Sequence, residues 1–301
     1  MNSSRSSKFG LLTSACAKKT RCFSPPERVP IDLFSSFIEF VNDKAFLILS
    51  FSFLLSHGRN PFDLDTSTKI DDSKSKNSLK IYGKSKIGYI DEKKIKIVTP
   101  GIDLQKYSYK YSKSELENIR KKYNLPKNYI LYLGTIEPRK NIERIVKAFK
   151  KYKKEINDDL KLVIVGRKGW KYDNIMKLIE SMGTDIILTG YIDEEDKIPI
   201  YKLAQIFAFP SLYEGFGMPV LEAMAAGVPV VTSNVSSLPE VAGDAAILVD
   251  PLNEDEIFEA YKKILSDKKL QLEMIEKGLE QAKKFEWKES AKVLEQIYEK
   301  M

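Results

Sequence analysis

Short apolar runs alternate with helical segments through most of the chain, and this alternation limits its possible folds more than any other feature. A strand is predicted at residues 95–98. Six further runs have the length and composition of buried parallel strands: 129–133, 162–165, 186–188, 206–209, 228–232 and 246–249. Helices are expected near residues 141–153, 172–182, 194–204 and 219–226, and again from about Glu254. This alternation predicts an α/β fold with a doubly wound parallel sheet and right-handed crossovers.

Ligands of doubly wound sheets bind beside the carboxyl ends of the strands. Four of the predicted strands are followed there by glycines and polar or aromatic residues, at positions 135–140, 166–167, 190–191 and 213–217. The sequence therefore predicts a binding site along one edge of the sheet.

The segment 210–232 carries the most specific pattern, because it places Glu214 and Glu222 eight positions apart around a helix start. Gly215 and Gly217 are expected to let the backbone turn tightly, and Pro219 suits the first turn of a helix. Unpaired N–H groups at that start, together with the positive end of the helix dipole, favour a phosphate.

The two glutamates are suited to bind hydroxyl groups of the ligand that carries this phosphate. Glu222, one turn into the helix, is placed to accept hydrogen bonds from ribose hydroxyls, and Glu214, on the loop, is placed to reach the hydroxyls of a sugar. The segment therefore predicts a site for a sugar nucleotide.

The same segment resembles the E-x7-E signature of family 4 glycosyltransferases, which are retaining enzymes of the GT-B fold. A lone E-x7-E pattern is weak, but segments 129–141, 162–166, 187–191 and 245–251 are also similar to family landmarks and follow in the family's order. The resemblance implies the Rossmann-like C-terminal half of a GT-B fold. It also implies a metal-independent transfer, without a cofactor, of a hexose from a UDP- or GDP-linked donor.

The resemblance assigns roles to individual residues. Lys140 aligns with the family lysine that contacts the diphosphate, Thr135 stands where many members carry an arginine, and Arg139 is expected to replace that charge. Cations at a helix start oppose the dipole, so a purely local benefit of these two is not expected. The implied catalytic residues are Arg139, Lys140 and Glu214. The implied donor-binding residues are Thr135, Gly166, Tyr191, Gly215, Phe216, Gly217, Met218, Pro219, Val220, Leu221 and Glu222.

No metal site is predicted. Asp63 and Asp65 mimic the metal-binding D-x-D of another glycosyltransferase fold, but no strand end precedes them. Cys16 and Cys22 have no histidine nearby and make a poor metal site. The single histidine, His57, matches nothing in the family, and we assign it no role.

Composition limits the binding partners and the cellular compartment that we expect. The chain has 49 Lys and Arg against 42 Asp and Glu, and the resulting charge of +7 is spread along it, so charge alone does not imply a nucleic acid. A membrane face with acidic lipids is at least as plausible a partner. Both cysteines lie in the N-terminal tract, which indicates a reducing compartment and therefore the cytoplasm.

Residues 1–80 are predicted to be a poorly defined, irregular N-terminal region, and residues 81–301 to form the donor-binding domain. Residues 1–26 are basic and indicate a targeting tract or a disordered leader, of which we favour the leader. Residues 45–55 are apolar but shorter than the roughly 18 to 20 residues of a bilayer crossing, which leaves a buried strand, a helix segment or a shallow anchor at the inner membrane face. Residues 66–80 are predicted to be a linker.

Two functions remain open because only about 95 residues precede the matching region, whereas the family's N-terminal acceptor domain is an ordinary domain of well over 100 residues. The chain is a glycosyltransferase whose acceptor region is short or supplied by a partner chain, or it is an inactive module that binds nucleotide sugars. A Rossmann dehydrogenase is weakened by the absence of G-x-G-x-x-G. Family members with Glu-Pro-Arg-Lys-Asn, as at 137–141, act in polysaccharide or O-antigen assembly, often on mannose or rhamnose and lipid-linked acceptors.

Overall fold

A computed structural model describes residues 47–49, 70–71, 78–83, 86–91 and 95–299 except residue 157. The first part of this range contains five short strands. They are β1 (Leu47–Leu49), β2 (Ile70–Asp71), β3 (Ser78–Gly83), β4 (Lys86–Asp91) and β5 (Ile95–Ile97). Strands β2, β3 and β4 form an antiparallel three-stranded sheet, and β1 and β5 form a two-stranded one.

Six parallel strands form the main sheet, and they confirm the predicted doubly wound α/β class. In chain order they are β6 (Tyr129–Leu133), β7 (Lys161–Val165), β8 (Ile186–Gly190), β9 (Ile206–Phe209), β10 (Val230–Ser233) and β11 (Ala246–Val249). Their order across the sheet is β11-β10-β9-β6-β7-β8. The chain therefore winds outward from β6 in one direction and from β9 in the other, and the switch point lies between these two strands.

Ten α-helices lie among the described residues. They are α1 (Leu104–Ser108), α2 (Lys113–Tyr123), α3 (Ile142–Ile156), α4 (Asp173–Glu180), α5 (Lys197–Leu203), α6 (Met218–Ala225), α7 (Leu238–Ala242), α8 (Glu254–Ser266), α9 (Lys268–Lys283) and α10 (Trp287–Glu299). Short 3-10 turns occupy Pro138–Lys140, Gly183–Asp185 and Glu194–Asp196. No helix in this part of the chain is long and apolar enough to cross a membrane.

The core lies between the sheet and its helices. Strands β6, β7 and β9 are almost entirely buried, which is the reason they appear in the sequence as continuous apolar runs. Helix α3 buries residues at helical spacing, among them Ile142, Ile145, Val146 and Phe149. The predicted strands 129–133, 206–209 and 246–249 agree with the structure residue for residue.

Several elements differ from expectation. Residues 66–80 were expected to be a linker, and this was wrong in part, because β2 and the start of β3 lie there. The lysines make this stretch polar, so its alternating apolar residues were not recognised as the pattern of a strand. Helices α1, α2 and α7 were not expected, although Ser112 and Glu115 form a capping box at the start of α2 that the sequence already contains.

Predictions for the leader at residues 1–26, for most of the apolar run 45–55, and for Cys16, Cys22, His57, Asp63 and Asp65 fall outside the described residues. The predicted domain boundary at residue 80 stays a prediction.

Gly166, which follows β7, has a structural reason to be glycine. Its φ is +142°, and a Cβ there would lie 2.0 Å from the carbonyl oxygen of Gly134, which follows β6. The two strand ends can approach this closely only without a side chain.

We expect Gly166→Ala to lower the free energy of unfolding by about 2–3 kcal/mol, because backbone atoms must move to admit the methyl group. The matched control is Gly183→Ala, where φ is +55° and nothing lies within 4 Å of the added Cβ. That change should cost only about 1 kcal/mol, the conformational penalty alone. Urea unfolding of both variants makes the comparison, and equal losses would contradict the steric explanation.

Candidate functional site

The loops that follow β6 and β9 meet at the switch point of the sheet. The N–H of Leu212 donates to the carbonyl of Arg139 at 2.9 Å, and Arg139 Nη1 donates to the carbonyl of Tyr213 at 2.7 Å. Asn141 is buried with a φ of +59°, and its Nδ2 donates to the carbonyls of Pro210 and Pro251 at 2.8 and 2.7 Å. These bonds hold the two loops in register.

One carboxylate lies at the centre of this junction. Glu214 Oε1 accepts from Lys140 Nζ at 2.7 Å, and Glu214 Oε2 accepts from Arg139 Nη1 at 3.1 Å. The side chains of Glu214, Lys140 and Arg139 are only 7%, 12% and 22% exposed. The structure therefore brings the three predicted catalytic residues into direct contact.

Two residues that sequence reasoning missed extend the contact. Glu137 Oε1 accepts from Arg139 Nη2 at 2.7 Å, and Glu137 Oε2 accepts from the indole Nε1 of Trp170 at 3.1 Å. Glu137 lies within the quoted Glu-Pro-Arg-Lys-Asn pattern, so the sequence offered a signal for it. No pattern pointed to Trp170. We call Glu137, Arg139, Lys140 and Glu214 the Glu214 cluster.

Burial and pairing act differently on the two cations. Burial lowers the pKa of Arg139, but the adjacent Glu214 and Glu137 outweigh it and raise the pKa overall. Burial also lowers the pKa of Lys140, and there it prevails over the attraction of Glu214. Arg139 is thus a permanent charge, whereas the charge on Lys140 depends more strongly on its partner.

The loop between Glu214 and α6 is held from behind by two serines that follow β10. Ser237 Oγ donates to the carbonyls of Glu214 and Phe216 at 3.0 and 2.9 Å, and the N–H of Glu214 donates to Ser236 Oγ at 3.2 Å. Gly217, the residue before α6, has a φ of +106°, as expected of a tight turn. Gly215 does not adopt a positive φ, so the turn depends on Gly217 alone.

The backbone N–H groups without an acceptor lie earlier in the chain than the sequence predicted, in the loop before α6 and at its first residue. The N–H groups of Val220 and Leu221 donate to the carbonyl of Gly217 at 2.9 and 3.3 Å, both side chains are buried, and Pro219 has no N–H. The N–H groups of residues 215–218 donate to no acceptor in the described part of the chain. Four successive amides beside Glu214 therefore have no acceptor among the described residues, and unpaired amides in a row are a feature of anion sites.

Glu222 is held apart from this cluster, on the second turn of α6. Its Oε1 accepts from Lys197 Nζ at 2.9 Å and its Oε2 accepts from the hydroxyl of Tyr201 at 3.1 Å. Both partners lie on α5, and neither was predicted. The E-x7-E pattern thus supplies two carboxylates with separate sets of partners.

The other predicted donor-binding residues are more scattered. Thr135 is half-buried after β6, and Phe216 packs edge-to-face on Phe285 with ring centroids 5.5 Å apart. Tyr191 follows the edge strand β8 and is 76% exposed. It contacts neither carboxylate, because β8 is three strands from β9, or about 14 Å at the usual strand spacing.

No group of three or more histidines, cysteines, aspartates and glutamates in the described ranges is arranged to hold a metal ion. The site contains a neutral cluster of two cations and two carboxylates, a row of amides and a third carboxylate, that of Glu222, on a helix. Such a site can bind a diphosphate through the cations and amides and can bind hydroxyl groups through the carboxylates.

Known proteins share this domain. The profile of the family "Glycosyl transferases group 1" matches residues 115–281, more than half of the chain, and the chain belongs to that family. The O-antigen chain mannosyltransferase B of Escherichia coli is 41% identical over 179 residues, which cover 58% of this chain and 47% of that protein. The serotype-specific mannosyltransferase WbdA of Escherichia coli is 36% identical over 185 residues, 60% of this chain and 23% of that protein.

The fold is shared with solved GT-B glycosyltransferases. A glycosyltransferase from Rickettsia africae ESF-5 superposes with a TM-score of 0.66 at 18% identity, over 91% of this chain and 68% of that one. The chain spans about half the length of mannosyltransferase B and less than a quarter of WbdA. Family and fold thus agree with the resemblance seen in the sequence.

We expect Glu214→Gln to lower the pKa of Lys140 further, because burial of the amine remains while its nearest negative charge is lost. NMR titration of the lysine side chains measures this change. The matched control is Glu254→Gln, which removes an exposed partner of Lys147 and should leave Lys140 unchanged. An unchanged Lys140 pKa in Glu214→Gln would show that the contact is not electrostatically important.

Proposed function

We propose that this chain is the donor-binding part of a retaining, metal-independent glycosyltransferase. It moves a hexose from a nucleotide-diphosphate sugar, UDP- or GDP-linked, to a glycan or lipid-linked acceptor. The observation that carries the proposal is the contact of Arg139 and Lys140 with Glu214 beside the amides of residues 215–218.

The leaving group explains why cations are needed there. When the bond between the sugar and the diphosphate breaks, negative charge grows on the diphosphate, and fixed cations and amides can stabilise it without a metal. Arg139 and Lys140 lie at the carboxyl end of β6, and the amides follow β9. A diphosphate at the switch point is within reach of both sets.

The cluster also gives Glu214 its role. It contains two carboxylates and two cations, so its net charge is zero before a donor arrives. A donor diphosphate attracts Arg139 and Lys140 and leaves the acceptor sites of Glu214 for hydroxyls of the hexose. Glu222, on α6, is assigned to the ribose.

Mannose is the proposed hexose, and polysaccharide or O-antigen assembly is the proposed process. The support is the names of the two mannosyltransferases that share more than a third of their aligned residues with this chain. GDP is accordingly the first nucleotide to test. The protein is proposed to act in the cytoplasm, with peripheral contact at the inner membrane face, where lipid-linked acceptors are found.

A second candidate is a nucleotide-sugar-binding module that needs another chain for its acceptor site. The observation that favours it is that the match to mannosyltransferase B covers only 47% of that protein. Both candidates require the donor site, and they differ in whether transfer follows binding.

We expect calorimetric titration of the full chain, without added metal, to detect binding of GDP or UDP. Lys140→Ala should weaken that binding about tenfold to 100-fold, on the scale of lost hydrogen bonds to a charged group, and Glu222→Ala should weaken it by a similar or smaller factor. The matched control is Lys147→Ala, whose exposed lysine pairs with Glu143 and Glu254 away from the site. Absence of binding, or equal affinities in all variants, would reject the donor site.

Transfer is tested separately from binding. Purified protein with GDP-mannose and a lipid-linked mannose acceptor should release GDP and lengthen the acceptor, and Glu214→Gln should abolish this while the nucleotide still binds. Nucleotide binding without release of GDP, with or without acceptor, would favour the binding module.

A further inference from the structure

The carboxylate of Glu222 lies in an enclosure formed by α1, α5 and α6. Lys197 and Tyr201 are four residues apart on α5, so they share one face of that helix, and each contacts a different oxygen of Glu222. Tyr107, from α1, is also buried, and the pKa of its hydroxyl is raised by burial and then by the charge of Glu222. Neither the motif nor the family match accounts for these partners.

Lys197 stands at a position where a cation has no local benefit. It is the first residue of α5, where the helix dipole disfavours positive charge. Its Nζ contacts Glu194 at 2.6 Å and Glu222 at 2.9 Å, but the side chain of Glu194 is 82% exposed, whereas those of Lys197 and Glu222 are 17% and 13% exposed. The contact with Glu222 is therefore the one that explains the residue.

The pairing keeps the amine of Lys197 charged. Burial lowers the pKa of Lys197, but the adjacent Glu222 and Glu194 raise it by more, so the amine remains protonated at neutral pH.

Counting hydrogen bonds shows what Glu222 can still accept. An ionised carboxylate has about four acceptor positions, two on each oxygen. Lys197 uses one on Oε1 and Tyr201 uses one on Oε2, and no other donor contacts the carboxylate of Glu222 within the described ranges. One position on each oxygen remains, which matches the two adjacent hydroxyls of a ribose.

We propose that Lys197 and Tyr201 are positioning residues that fix Glu222 to accept the 2′- and 3′-hydroxyls of the donor ribose, so that the protein selects ribonucleotides over deoxyribonucleotides. The inference rests on the proposed function, because it takes Glu222 as the ribose contact. Without Lys197, the carboxylate loses the contact that fixes one of its oxygens and is free to rotate away, which removes acceptors from the ribose.

A direct phosphate contact is the competing role for Lys197, since its amine has a third N–H. The two roles differ in what they do to selectivity. A phosphate contact contributes equally to ribo- and deoxyribonucleotides and to pyrophosphate, whereas a positioning role affects only the ligand with the 2′-hydroxyl.

The experiment measures dissociation constants of the full chain for GDP, 2′-deoxy-GDP and pyrophosphate, or for the UDP series if UDP is the nucleotide bound. We expect the unaltered protein to prefer the ribonucleotide about tenfold to 100-fold. Lys197→Met should reduce this preference to about threefold or less and leave pyrophosphate binding unchanged, and Tyr201→Phe should reduce it partly. Lys197→Arg should retain most of it.

The matched control is Lys202→Met on the same helix, since Lys202 Nζ donates to the carbonyl of Tyr109 and contacts no carboxylate in the part of the chain that the structure describes. Thermal unfolding shows which variants fold. If Lys197→Met does not fold, the test rests on Tyr201→Phe, which removes only one hydroxyl.

Three results would overturn the inference. Full preference in both Lys197→Met and Tyr201→Phe would show that Glu222 needs no positioning. An equal loss for GDP, 2′-deoxy-GDP and pyrophosphate in Lys197→Met would make Lys197 a phosphate contact. Full preference in Glu222→Gln would show that Glu222 is not the ribose contact. Failure of the unaltered protein to bind any nucleotide would instead reject the proposed donor site, on which the inference rests.

Discussion

The parallel pairing of β6 with β9 is the constraint on which the site depends. Ile130 pairs with Ile206 and Leu131 with Phe207, so two strands more than 70 residues apart in sequence end side by side. Helices cover opposite faces of the sheet on the two sides of this pair, and the loops diverge there. This divergence leaves the space in which Lys140 reaches Glu214 across 74 residues of chain.

Charge pairing explains why the buried cations and carboxylates of the Glu214 cluster are tolerated before a ligand binds. Buried charges are costly unless they are paired, and Arg139, Lys140, Glu137 and Glu214 satisfy one another. The same arrangement keeps the cations near the place where a diphosphate is expected. A ligand with more negative charge then competes with the carboxylates for the cations, so the resting contacts and the proposed liganded contacts use the same side chains.

The two glutamates of the E-x7-E pattern are separated by their surroundings, not by their chemistry. Glu214 lies on a loop that Ser236 and Ser237 hold from behind, and its partners come from the end of β6. Glu222 lies on α6, and its partners come from α5. One short segment can therefore address two parts of a ligand, because a helix start lies between the two residues.

The sequence alone determined the α/β class and the extent of β6, β9 and β11, because apolar periodicity acts over a few residues. The resemblance to a known family supplied the residues of the Glu214 cluster other than Glu137. Only the tertiary structure decided that Trp170 reaches Glu137, that Lys197 and Tyr201 hold Glu222, and that the unpaired amides belong to residues 215–218. These contacts join elements far apart in the chain. They depend on strand order and helix placement, which local patterns do not contain.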